Sequence, residues 1–136
     1  LCAGFGAAAT VAAAGMADDA AHIERLWTMA LVGLGGDAVV NGSTANRFRG
    51  NLNLRLPGLD ASRLISDVRR VAFSAASACA SGSGKPSHVL SAIGLDQAEA
   101  RSSIRLGWGR YTRDDEMKEA IELLNEGIAR QRRVAA

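Results

Sequence analysis

Aromatic rings are scarce in this sequence: two Trp, one Tyr and three Phe make up 4% of its 136 residues. That scarcity, with the abundance of Ala and Gly, argues against a ligand cage of stacked rings and for close helix packing, leaving Trp27 and Trp108 as fillers of the core or its rim. Cysteine is scarcer still. Cys2 and Cys79 lie far apart with no Cys-x-x-Cys spacing, which argues against a disulfide framework and a cysteine-rich zinc site. His22 and His88 add too few ligands to complete a metal centre, so no metal is expected. Neither sign of charge dominates, because 14 acidic residues are interspersed with 16 basic ones and leave a net charge of +2. A nucleic-acid partner is therefore not expected. Lysine is nearly missing, with only Lys85 and Lys118. The arginine clusters Arg69-Arg70 and Arg130-Gln-Arg-Arg133 sit at element ends, where solvation and the helix dipole account for them. The uncharged run from Leu1 to Ala17 is built mainly of Ala and Gly, has no basic segment before it and stops at Asp18-Asp19. It reads as neither a membrane span nor a signal sequence, so no membrane contact and a cytoplasmic location are expected.

What is present fits one domain. The chain is 48% apolar, with no internal repeat and no long linker. The Ala-rich stretch from about 3 to 17 suits a helix, and Asp18 or Asp19 can cap a second one. From 20 to 34, Ile23, Leu26, Trp27, Ala30, Leu31 and Leu34 recur at three and four, the stripe of an amphipathic helix. Gly35-Gly36 stops it. A brief strand is expected over 37–41. Asn51-Leu-Asn-Leu-Arg-Leu56 alternates polar and apolar, the signature of a strand with one buried face, and Pro57-Gly58 ends it. Asp60 caps a helix over 61–68, a third strand follows over 70–74, and Pro86 opens a helix running to Ile93 with Gly94 as its stop. Residues 102–107 alternate again. In the final helix Thr112 with Asp115 forms a capping box, and Met117, Ala120, Ile121, Leu124 and Ile128 face inward. Four short strands among helices predict an α+β layer, a small sheet covered by helices with a long C-terminal one.

One stretch stands apart. Ser77-Ala-Cys-Ala-Ser-Gly-Ser-Gly84 buries little apolar area and has easy access to unusual backbone angles, so it reads as a surface loop carrying Cys79. An exposed thiol in such company is a candidate nucleophile, against the alternative of an inert surface cysteine.

Taken together, Asn51-Leu-Asn-Leu, Pro57-Gly58, Ser77-Ala-Cys-Ala-Ser-Gly, Pro86-Ser-His-Val-Leu90, Ala92-Ile-Gly-Leu95 and Ser102-Ser-Ile-Arg-Leu-Gly-Trp-Gly-Arg110 resemble the C-terminal part of the NifS-type cysteine desulfurases. The likeness covers roughly residues 38 to 130. It implies the small C-terminal domain of the fold-type I pyridoxal-phosphate enzymes over 37–136, with 1–36 as a helical connection from a large domain. It implies that Cys79 is the nucleophile, taking sulfur from L-cysteine as a persulfide, releasing L-alanine and passing the sulfur to an acceptor or scaffold protein for iron–sulfur cluster assembly. A carrier atom has to travel between a pocket and a partner, and small residues supply the hinge. Arg105 matches the arginine that grips the substrate carboxylate, a task suited to a planar guanidinium. Without the resemblance, an arginine paired with an acid across the sheet is the simpler reading. His88 reads as a helix-surface residue, with a Cys79–His88 pair left open.

The chain departs from the family pattern at Ala76, where Gly is usual, and at Gly84-Lys85. It also lacks the groups that hold pyridoxal phosphate, since Lys85 lies in the loop and Lys118 on the polar side of the last helix. Because the chain opens on Leu1 and not on Met, the expectation is a fragment whose cofactor-binding residues lie in a missing large domain. Such a chain is expected to be inactive alone, and the full-length enzyme is expected to be a homodimer. The alternatives are a cofactor-free sulfur carrier or scaffold-interaction module that uses the same thiol, and an Arg-rich nucleic-acid module, which would show steeply salt-dependent binding.

Overall fold

The computed structural model describes residues 1–34, 36–75 and 87–135. Its elements run α1 (Cys2–Gly33), β1 (Val39–Val40), β2 (Asn51–Arg55), α2 (Ala61–Asp67), β3 (Ser74–Ala75), α3 (His88–Ala92), α4 (Gln97–Arg101), β4 (Ser103–Gly107) and α5 (Asp114–Ala135). The strands form one antiparallel sheet in the order β1-β2-β4-β3. The α+β layer with a long last helix is thus what the structure shows.

The alternation read in the sequence builds the layer directly. In β2, Leu52 and Leu54 are buried, and the register sets them opposite Leu106 and Ile104 of β4. Facing side chains on adjacent strands share one side of the sheet, so these four form its apolar floor. Onto that floor pack Leu26, Trp27 and Ala30 from α1, Leu64 from α2, and Met117, Leu124 and Ile128 from α5, all in one buried cluster. Helix contact is close where side chains are absent. A Cβ added at Gly127 would come within 2.4 Å of Val68 Cγ2, and one at Gly33 within 2.6 Å of Ile121 Cγ2. Glycine serves close approach at these two positions, whereas a Cβ at Gly4 or Gly6 in the first half of α1 would meet nothing within 4 Å. Two glycines serve turns instead. Gly58, after Pro57, and Gly94, after α3, have φ of 76° and 90°, where an L side chain is strained.

Several expectations are corrected. The two N-terminal helices are one, because nothing between Ala17 and Ala20 breaks the chain and Asp19 reaches sideways to Arg110 at 2.5 Å without capping a new start. The first half of this helix stands clear of the core, with Phe5, Val11 and Met16 exposed. The third strand is only Ser74–Ala75; Val71 and Ala72 line a cleft beside α5. Thr112 does not cap α5. Its hydroxyl accepts from Gly109 N at 3.2 Å, and Glu116 accepts from Arg113 N at 2.9 Å. Helix α4 was not foreseen, although Asp96 and Glu99 form the reciprocal capping box that marks a helix start.

Candidate functional site

The sheet has a second face. Pleating turns Asn53 and Arg105 away from the leucine floor, and the register sets Asn53 on β2 opposite Arg105 on β4, with Ser74 of β3 opposite Arg105 on its other side. The three residues form a polar row across three strands. Arg105 is exposed and Asn53 and Ser74 are half-buried. None of the ion pairs among the described residues uses Arg105, and its cross-strand neighbours are an amide and a hydroxyl. An arginine paired with an acid across the sheet is therefore not what the described residues show.

One turn of the pleat away, the same face is closed. Helix α4 lies over it through the Arg55–Glu99 ion pair, and Ser103 donates to the Glu99 carbonyl at 2.7 Å. Asn41, buried at the end of β1, donates through Nδ2 to Asn53 Oδ1 at 2.7 Å and to Ser103 Oγ at 3.0 Å. The network joins β1, β2, β4 and α4, so it fixes the floor on which Arg105 stands. Sequence reading missed it. Period-two alternation puts Asn53 and Arg105 on polar faces, but register and loop closure decide that those faces coincide.

A second cluster lies at the side of the domain. The Arg47 and Arg49 guanidiniums sit 4.5 and 5.1 Å from the centroid of the Trp27 ring, and the Trp108 ring lies 6.3 Å from it at 49°. Trp27 and Trp108 are thus core and rim fillers. Burial, helped by the Arg49 charge, pushes Arg47 below the ordinary arginine pKa. Arg47 donates to the carbonyls of Asn41 and Asn51 at 3.4 and 2.8 Å, pinning the loop that leads into β2. Beyond it, His22 Nε2 lies 2.8 Å from the Thr112 carbonyl, which can only accept, so that nitrogen carries the proton. Nδ1 then accepts from Arg25 Nη2 at 2.8 Å, and Arg25 pairs with Asp114 at the start of α5.

A concavity of about 510 Å³ is lined by Leu34, Leu106, Trp108, Met117, Ile121 and Leu124. It opens on the helix side of β4, opposite Arg105, so the two are not brought together. Cys79 and the loop expected around it lie outside the described residues. His88 is exposed on α3, as a helix-surface residue. Among the described residues no three His, Cys, Asp or Glu side chains converge as a metal would require, and no helix is long and apolar enough to cross a membrane. The described residues also do not fit pyridoxal phosphate: Lys118 is exposed on α5 and is not among the residues lining that concavity, and Lys85 lies outside them.

A four-stranded antiparallel sheet with α1, α2 and α5 on one face, and α4 and a polar row on the other, makes a small α+β layer, and known proteins share it. A NifS-like protein from Rickettsia africae superimposes with a TM-score of 0.78 over 93% of this chain and 34% of its own, at 21% identity. A second NifS-like protein gives 0.68 over 88% of this chain and 30% of its own, at 22% identity. In sequence, a cysteine desulfurase of Frankia sp. is 42% identical over 135 residues, covering 96% of this chain and 32% of the relative. The mitochondrial cysteine desulfurase of Arabidopsis thaliana is 38% identical over 97% of this chain and 30% of the relative, and cysteine desulfurase IscS of Rickettsia bellii 35% over 95% and 32%. No protein-family model matches the chain. In sequence the chain is similar to one part of the cysteine desulfurases, and in fold to one part of the NifS-like proteins. It spans about a third of the length of the curated relatives it matches.

Proposed function

We propose that this chain is the small domain of a cysteine desulfurase, with residues 37–136 forming that domain and residues 1–36 connecting it to a large one. The large domain supplies pyridoxal phosphate and its lysine, so the chain alone turns over no cysteine. Arg105 holds the α-carboxylate of L-cysteine, and Cys79 takes its sulfur. The Cys79 thiolate attacks the substrate sulfur; an S–S bond forms as the C–S bond breaks, its electron pair stays on carbon, and that carbon takes up a proton and leaves as L-alanine. The persulfide on Cys79 is then delivered to an acceptor protein for iron–sulfur cluster assembly, and the full-length enzyme is a homodimer.

The observation that carries this reading is the setting of Arg105: an exposed guanidinium on a rigid strand, beside an amide and a hydroxyl and without a carboxylate across the sheet. A fixed arginine offering two parallel N–H donors to an open face suits a carboxylate brought from another domain.

Intact-mass measurement of the full-length protein after incubation with L-cysteine tests it. A gain of one sulfur atom that is reversed by a thiol reductant and absent from Cys79→Ser is the expected result. An unchanged mass, or a persulfide still formed in that variant, removes Cys79 from the role. If the chain alone gains sulfur from L-cysteine without the large domain, it is not an inactive small domain.

A further inference from the structure

We propose that Asn53 is a second carboxylate-recognition residue, its side-chain amide donating to the same substrate oxygens that Arg105 holds. The proposal rests on the reading of Arg105 given above.

It follows from counting protons. Ser103 is fully buried, its hydroxyl has one proton, and that proton goes to the Glu99 carbonyl at 2.7 Å. Toward Asn41, Ser103 Oγ can therefore only accept, so the Asn41 atom 3.0 Å away is the amide nitrogen. The same nitrogen reaches Asn53 at 2.7 Å, which makes the Asn53 atom there the oxygen. One serine proton thus fixes the orientation of both amides. The Asn53 nitrogen, with two protons, is left on the side away from Asn41 and Ser103. Among the described residues no acceptor takes either proton, and the side chain is half-buried, so its amide meets solvent. Asn53 faces Arg105 directly across β2 and β4. Residues so paired have Cβ atoms about 4.5 to 5.5 Å apart, within reach of one bound carboxylate. The pair presents donors and no carboxylate, the composition an anion requires.

The test uses the full-length enzyme and two competing ligands that do not react, L-alanine and L-alaninamide, which differ only in the carboxylate. Asn53→Ser removes the outward NH2 without adding a charge beside Arg105, and its hydroxyl can still accept from Asn41. Its inhibition constant for L-alanine should rise about tenfold or more, the cost of a lost hydrogen bond to a charged group. That for L-alaninamide should not rise by more than about twofold. Equal weakening of both ligands, or of neither, overturns the proposal and leaves Asn53 a structural residue. Arg105→Ala separates this from the reading beneath it. If that variant weakens L-alanine while N53S does not, only the Asn53 assignment fails; if it leaves L-alanine affinity unchanged, the reading of Arg105 fails and the proposal falls with it.

Discussion

The two faces of the sheet share five residue pairs of β2 and β4 yet are built for opposite ends. On one, Leu52, Leu54, Ile104 and Leu106 are buried under three helices. On the other, Asn53 and Arg105 stand in a polar row and, among the described residues, α4 covers the Arg55–Ser103 end. The same strands therefore carry stability on one side and, in the function proposed above, recognition on the other. Rigidity made by the leucines is available to the arginine without any residue serving both.

That division can be broken from the stability side first. Leu52→Ala removes a fully buried side chain from the floor and should cost about 2 to 5 kcal/mol in denaturant unfolding of the chain. Gly127→Ala drives a methyl into Val68 and should cost about 1 to 3 kcal/mol; if it does not, α2 and α5 can separate more easily than their packing implies. Asn41→Ala belongs between the faces. It leaves Ser103 Oγ and Asn53 Oδ1 without their donor and should cost about 1 to 2 kcal/mol, read by the same melts. Arg105→Ala should shift stability by less than about 0.5 kcal/mol, because an exposed side chain with no ion pair among the described residues has little to lose. A larger loss would make Arg105 a structural residue and erase the contrast.

The smallest effect is acid sensitivity. Asp37, Asp114 and Asp115 are held below the ordinary carboxylate pKa, chiefly by hydrogen bonds from Arg132, Arg25 and Arg113. The unfolded chain binds those protons more readily, so the stability these groups give is complete above the ordinary carboxylate range and is lost as pH falls through it and below. Asp37 and Asp115 are exposed and Asp114 is only half-buried, so Asp114→Asn should narrow that acid loss only slightly in melts across pH.

Much of this was legible in the sequence. The alternation in 51–56 and 102–107 is a local property of the chain, and so is the stripe on α5, so the leucine floor and its cover could be read residue by residue. The role proposed for Arg105 comes from resemblance, not from its spacing. What escaped reading depends on pairs distant in the chain. Asn41, Asn53 and Ser103 meet only after β1 turns and α4 docks, and Arg47 finds Trp27 only when the loop before β2 folds back. Asp18-Asp19 misled because an acidic pair at an exposed position caps a helix only if the chain breaks there. Helix α4 was readable from Asp96 and Glu99, a signal that a search for longer apolar patterns passes over.

Helix α1 is anchored at one end only: Ile23, Leu26, Trp27 and Ala30 are its buried residues, and nearly all that precedes them is exposed. At about 1.5 Å per residue the free portion is a rod of about 30 Å. A rod gripped at one end multiplies angles into distances, so a slight rocking of the Trp27 seat, where Arg47 and Arg49 press on the ring, becomes a displacement of several ångströms at the tip.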